Sequence, residues 1–161
     1  MRLYRLTPGR FAHDMTGEGA RLYGGRWSPP GIPVIHTAES VALAALEFLV
    51  HQKSLSALPR DIRLVIFELD DRASITTLPL ADLPPNWNHY LPPASLQEIG
   101  RAWAAAAESV ALRVPSAVIP QGVERNVLVN PQHPDFNRFQ LVEITPFRFD
   151  ERIGGYMIQD S

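Results

Sequence analysis

The sequence contains no cysteine among its 161 residues. This absence excludes a disulfide-stabilised scaffold, a zinc site with thiolate ligands and a cysteine nucleophile. Its histidines form no HxxxH or HxH pair, so a metal site has little support from spacing. We therefore expect no metal cofactor.

Long apolar runs and basic clusters are also missing. The longest apolar stretch, 41–50, is interrupted by Glu47 and is too short to cross a bilayer, and residues 1–6 lack the apolar run of a signal peptide. The formal net charge is −2 and the arginines are scattered along the chain. Such a distribution gives no electrostatic footprint for nucleic acid. We expect a cytoplasmic protein that binds neither membrane nor nucleic acid directly.

The chain also lacks internal repeats and a dinucleotide fingerprint, since Gly24-Gly25 does not complete a GxGxxG pattern. Its hydrophobic fraction of 45% and its length fit one ordinary globular domain. We predict a domain over residues 1–153 and a C-terminal tail over residues 154–161.

Apolar patterning predicts short strands and two helices. One helix is predicted over 39–51, with Thr37 or Ser40 as its cap, and a second begins at the capping box Ser95-Leu96-Gln97-Glu98 and ends near 109. Elements in this order predict a compact α+β domain with a mostly antiparallel sheet. The predicted strands are 3–6, 33–37, 62–69, 111–114, 117–119, 126–130 and 139–144.

Glu47 is the most informative single residue. Three of its four neighbours one helical turn away are apolar. An isolated carboxylate on such a face is costly to bury unless it is paired or has a role. Two interpretations stay open, a structural ion pair at the edge of the core and a functional carboxylate.

A glycine-rich segment, 17–27, carries Arg21, Tyr23, Arg26 and Trp27. Glycines allow a ligand to approach the backbone closely, arginines offer forked donors to phosphate, and aromatic rings offer stacking faces. The combination suits a nucleotide, although glycine-rich turns with an arginine are also common in ordinary loops.

Three further polar residues have a structural and a functional interpretation. His36 precedes the helix of Glu47 and is either a half-buried strand histidine or part of the same pocket. Ser116 follows a proline inside an apolar stretch, where its hydroxyl satisfies backbone groups or orients a ligand. No GxSxG elbow surrounds it, which argues against a hydrolase nucleophile. Asn126 suits turn chemistry first and a ligand contact second.

Taken in chain order, these segments resemble the RES domain, which is named for an arginine, a glutamate and a serine. The likeness spans nearly the whole chain. No single motif is specific, whereas the ordered set is. The matching residues are Gly24-Gly25-Arg26-Trp27-Ser28, Gly31, Pro33, His36-Thr37-Ala38, Ala44-Ala45-Leu46-Glu47, His51, Val114-Pro115-Ser116-Ala117, Arg125-Asn126, Leu128, Asn130-Pro131 and His133-Pro134.

The resemblance implies an ADP-ribosyltransferase-like fold and NAD⁺ as substrate. It makes Arg26, Glu47 and Ser116 the naming triad and implies cleavage of the nicotinamide–ribose bond by hydrolysis or phosphorolysis. It also implies that the protein is a toxin whose site is covered by an Xre-type helix-turn-helix antitoxin. The residues expected to bind substrate are Arg21, Tyr23, Trp27, His36 and Asn126.

The chain departs from the family pattern at two positions, with His36 where a tyrosine is usual and Ser28 where an asparagine is common. Two alternatives therefore stay beside NAD⁺ degradation. One is ADP-ribosyl transfer to a specific cellular protein, and the other is a non-catalytic module that binds a nucleotide or a partner.

Overall fold

The structure, a computed structural model, describes residues 1–155 and is built on one seven-stranded sheet. The strands are β1 (Arg2–Pro8), β2 (Ile35–Ala38), β3 (Ile62–Leu69), β4 (Ile75–Thr77), β5 (Ala111–Pro115), β6 (Arg125–Val129) and β7 (Phe139–Phe147). The helices are α1 (Glu18–Tyr23), α2 (Val41–Val50), α3 (Ala94–Ala106) and α4 (Glu151–Gly155).

The strands lie in the order β4-β5-β6-β2-β1-β3-β7. All neighbouring pairs are antiparallel except β4 and β5, which run parallel. The prediction of an α+β domain with a mostly antiparallel sheet is confirmed.

Two apolar clusters pack side by side on one face of the sheet. On one half, α2 buries Leu43 and Phe48 against β1 and β3. On the other half, α3 buries Leu96 and Trp103 against β5 and β6. The helix α2 also contacts β2, and Glu47 on this helix reaches the side chain of Asn126 on the neighbouring strand β6.

The two main helices are close to their predicted positions. Ser40 caps α2, since its hydroxyl accepts a hydrogen bond from the N–H of Leu43 at 3.1 Å. The prediction of a capping box at 95–98 is wrong, because α3 begins at Ala94 after Pro93 and has no side-chain cap. This helix ends at Ala106 rather than near 109, because Ala107 takes a left-handed conformation.

The strand predictions differ from the structure mainly at the bend after β5. Residues 117–119 do not form a strand, because the chain turns at Ser116 and returns as β6. The short strand β4 and the helix α1, which lies inside the glycine-rich segment, were not predicted.

The helix α4 is the last element of the described chain. The predicted tail, 154–161, includes the last two residues of α4, and its remaining positions, 156–161, lie outside the described residues. Within residues 1–155, no helix is both long enough and apolar enough to cross a membrane.

Candidate active site

The Glu47 carboxylate is held by two side chains, one directly after β5 and one on β6. Its Oε1 accepts a hydrogen bond from the Ser116 hydroxyl at 2.8 Å and another from the Asn126 amide at 2.6 Å. Its Oε2 has no hydrogen-bond partner among residues 1–155, and the residue is half-buried. One oxygen therefore fixes the carboxylate, and the other is available to a ligand.

The Ser116 hydroxyl both donates and accepts hydrogen bonds. The residue is fully buried, and its oxygen accepts hydrogen bonds from the N–H groups of Val118 and Ile119 at 3.1 and 3.3 Å. Its single donor is used by Glu47. The serine therefore stabilises the turn after β5 and orients the carboxylate at the same time.

Arg26 lies within electrostatic range of Glu47. Burial lowers the pKa of its guanidinium, while the nearby Glu47 carboxylate raises it, and burial outweighs the attraction. Its Nη1 donates to the backbone carbonyl of Trp87 at 2.8 Å. The structure therefore puts Ser116 in contact with Glu47 and Arg26 within its electrostatic range, although the three residues are far apart in sequence.

A cavity of about 620 Å³ opens where β1 and β2 diverge. The two strands share a single paired position, Tyr4 with Ala38, and separate beyond it. Tyr23 lies at its rim, with 83% of its surface exposed. The lining residues are Arg5, Thr7, Phe11, Asp14, Gly17, Glu18, Gly19, Ala20, Leu22, Tyr23, Val34 and His36.

His36 connects this cavity to Glu47. It lines the cavity, and its pairing with Leu128 places it on the same face of the sheet as Asn126, two residues away on β6. Such diagonal neighbours lie roughly 7–8 Å apart. Burial lowers the pKa of His36 to about 4, with smaller contributions from His51 and Arg5, so the imidazole is neutral at neutral pH.

The neutral state of His36 predicts a pH-dependent stability. Its pKa is 6.5 when unperturbed and about 4 in the folded protein, so the unfolded chain takes up a proton first as pH falls. We expect this group to cost about 2 kcal/mol of unfolding free energy between about pH 7 and pH 4.5, a loss that levels off as the pH falls below the folded-state pKa of about 4. Urea unfolding of wild type and His36→Phe at both pH values measures the difference. His89→Phe, at an exposed position, is the control. If the unfolding free energy falls equally between the two pH values in wild type and in His36→Phe, the prediction is contradicted.

Arg5 is a site residue that the sequence analysis missed. It lines the cavity, its Nη2 donates to the carbonyls of Phe11 and Asp14, and its Nε is buried without a partner among the described residues. Burial lowers the pKa of its guanidinium. An arginine inside the apolar strand Leu3-Tyr4-Arg5-Leu6 was the available signal, because such a residue is rarely buried without a reason.

Two of the predicted substrate-binding residues lie elsewhere. Trp27 is 4% exposed and packs in the core beside Trp87, with 6.5 Å between the ring centroids. Arg21 is exposed on α1, where it pairs with Glu18 at 2.6 Å and does not line the cavity. The ring of Trp27 packs in the apolar cluster that also contains Leu96 and Trp103 of α3.

No group of three or more histidine, aspartate or glutamate side chains within residues 1–155 is arranged to hold a metal ion. The polar side chains that line the cavity are those of Arg5, Thr7, Asp14, Glu18, Tyr23 and His36, and a hydroxyl and an amide group contact Glu47. Arginine is never a metal ligand of choice, whereas its forked donors match phosphate oxygens.

The seven-stranded sheet with its two main helices is similar to a solved structure. The structure superposes on a chain of the Mycobacterium tuberculosis MbcT–MbcA toxin–antitoxin complex with a TM-score of 0.67. The match covers 91% of this chain and 83% of that one at 24% identity. The fold is ADP-ribosyltransferase-like.

The family follows from the sequence match. The RES domain model matches residues 2–150, so the chain belongs to the RES family. It is 38% identical to Toxin Res of Photorhabdus laumondii, over 95% of this chain and 97% of that protein. It is 39% identical to Toxin Res of Yersinia enterocolitica, over 95% and 99%. It is also 36% identical, over 88% of both chains, to the Prs ADP-ribosylating toxin of a Sphingobium species.

Proposed function

We propose that the protein is a toxin that consumes NAD⁺ by cleaving its nicotinamide–ribose bond. One observation carries the proposal: a carboxylate is fixed through one oxygen by Ser116 and Asn126, and its other oxygen has no hydrogen-bond partner among residues 1–155. His36, which lies on the same face of the sheet as Asn126, connects this carboxylate to the cavity that it lines. Membership of the RES family and a relative named as an ADP-ribosylating toxin support NAD⁺ as the substrate.

The reaction places positive charge on the ribose. As the bond breaks, its electron pair leaves with nicotinamide, which departs as a neutral ring, and the ribose becomes oxocarbenium-like. A carboxylate at Glu47 stabilises this charge more strongly in the transition state than in the substrate. Because Ser116 and Asn126 already hold Oε1, the carboxylate needs little reorganisation during the reaction.

The remaining groups of the site suit the other parts of NAD⁺. Arg26 and the partly buried Arg5 offer N–H donors to the pyrophosphate. The exposed ring of Tyr23 at the cavity rim offers a stacking face to a base. The neutral imidazole of His36 adds no charge that would repel the pyridinium cation.

Ser116 acts on the substrate through Glu47, and this role is testable. Ser116→Ala removes one hydrogen bond to the carboxylate and leaves two backbone N–H groups without their partner. We expect kcat to fall about tenfold, since a hydrogen bond to a charged group is worth about 1.5 kcal/mol or more. Initial rates of nicotinamide release measure kcat.

Ser74→Ala is the matched control, because that hydroxyl also accepts a backbone N–H, from Val110, and does not contact Glu47. A similar loss of stability in both variants, with a rate loss only in Ser116→Ala, is the expected pattern. If both variants keep the wild-type kcat, Ser116 does not act through the carboxylate.

The acceptor of the ADP-ribosyl group decides between the two enzymatic alternatives. Incubation with adenine-labelled NAD⁺, with and without phosphate, followed by mass spectrometry identifies the product. Free ADP-ribose indicates hydrolysis, and a phosphorylated ADP-ribose indicates phosphorolysis. Label on protein indicates ADP-ribosyl transfer, which the name of the Sphingobium relative favours as the second candidate. Absence of nicotinamide release in all mixtures would leave only a non-catalytic binding module.

The proposal extends to the partner and the place of action. Because the similar fold comes from a toxin–antitoxin complex, we propose an antitoxin of the Xre helix-turn-helix type that covers Glu47 and the cavity. We also propose that residues 1–153 form the working domain and act in the cytoplasm.

A further inference from the structure

Arg26 lies in a segment whose backbone is held against α3 on both sides. The carbonyl of Gly25 accepts a hydrogen bond from the side chain of Gln97 at 2.9 Å. The carbonyl of Trp27 lies directly over Gly100, so close that a Cβ there would be 1.6 Å from the oxygen. The backbone of Arg26 is therefore fixed by its two neighbours and not by contacts of its own.

Of these two contacts, the hydrogen bond from Gln97 is made by a polar side chain. A substitution at Gln97 can remove it without creating a steric clash. Gln97 is half-buried, and its amide is directed at a carbonyl 72 residues away in sequence. A glutamine at this place is not needed to cap α3, which begins at Ala94. Its hydrogen bond instead limits the positions that the guanidinium of Arg26 can reach.

We propose that Gln97 is a positioning residue, which holds the Gly25–Trp27 backbone so that the Arg26 guanidinium faces the phosphates of the substrate. This inference rests on the proposed use of NAD⁺. It assigns to α3 a part in substrate affinity, while Glu47 on α2 acts on the bond that breaks. The orientation of Arg26 then has two supports, the Gln97 amide at its backbone and the Trp87 carbonyl at its side chain.

The test compares Gln97→Met with Glu98→Met. Methionine matches the length of glutamine and favours helix but cannot donate to the Gly25 carbonyl. Glu98, the next residue on α3, is exposed, and within residues 1–155 its ion pair is with Arg101. We expect Gln97→Met to raise the KM for NAD⁺ about fivefold with little change in kcat, and Glu98→Met to leave both unchanged. Gln97→Glu also cannot donate and in addition places a negative charge against the Gly25 carbonyl, so we expect it to raise the KM at least as much as Gln97→Met.

A double-mutant cycle with Arg26→Lys separates positioning from a general effect on the fold. If Gln97 acts through Arg26, its substitution raises KM little further once the guanidinium is gone. The proposal is overturned if Gln97→Met raises the KM by the same factor in wild type and in Arg26→Lys. It is also overturned if the KM of Gln97→Met equals that of Glu98→Met.

Amide hydrogen exchange gives a second readout that needs no substrate. Gln97→Met is expected to speed exchange in residues 24–28 more than elsewhere, and unchanged exchange there overturns the inference. If wild type neither binds nor consumes NAD⁺, the proposed function fails, whereas the exchange result still decides whether Gln97 holds this segment.

Discussion

Glu47→Gln is expected to slow NAD⁺ consumption roughly 10²–10³-fold while the protein stays folded. In the wild type, Ser116 and Asn126 both donate to Oε1 of Glu47. The carbonyl oxygen of a glutamine can still accept both hydrogen bonds. The amide nitrogen then takes the place of Oε2, the oxygen that is open to a ligand. The substitution therefore removes the charge where the ribose becomes positive and retains the contacts that support the fold.

Release of free nicotinamide measures the rate, and thermal unfolding shows whether the variant is folded. Glu98→Gln, on the exposed face of α3, removes the same charge away from the cavity and should retain the wild-type rate. A folded Glu47→Gln variant with full activity would show that the carboxylate does not stabilise the transition state, and the proposed mechanism would have to be abandoned.

The fold could be predicted where the signal is local. The strand β3 has its predicted bounds, because a mainly apolar stretch, interrupted by Arg63 and Glu68, lies between polar boundaries and can be read from the sequence directly. The strand β4 has three exposed residues, and it exists because β5 lies beside it in parallel. Pairing of this kind is a tertiary property that no short window of sequence contains.

The candidate site could be predicted only in part, for a similar reason. Glu47 was identified because a carboxylate on an apolar helix face is anomalous without a partner. Its partner Ser116 is 69 residues away, and only the fold shows that their side chains meet. Trp27 looked available for stacking beside its glycines, but the close approach of Gly100 to its carbonyl brings α3 over the segment, and the ring is buried.

Arg26→Lys tests the other half of the site, the recognition of the phosphates. Lysine keeps the positive charge but loses the planar fork, which can hold the Trp87 carbonyl and a phosphate oxygen at the same time. Because the guanidinium is partly buried, its hydrogen bonds to a phosphate are shielded from water and are stronger than at the surface. We expect the KM for NAD⁺ to rise at least about tenfold, the value of one hydrogen bond to a charged group, with a smaller effect on kcat.

Arg101→Lys is the matched control, because Arg101 lies on the exposed face of α3 and, among the described residues, forms its ion pair with Glu98. Steady-state rates over a range of NAD⁺ concentrations give KM and kcat for both variants. If KM is unchanged in Arg26→Lys, the guanidinium does not bind the phosphates, and Arg5 becomes the stronger candidate for that contact because its buried Nε lies unpaired among the described residues. A fall in kcat at constant KM would instead mean that Arg26 acts in the transition state, beside Glu47, because only an interaction made there lowers kcat without weakening the binding of substrate.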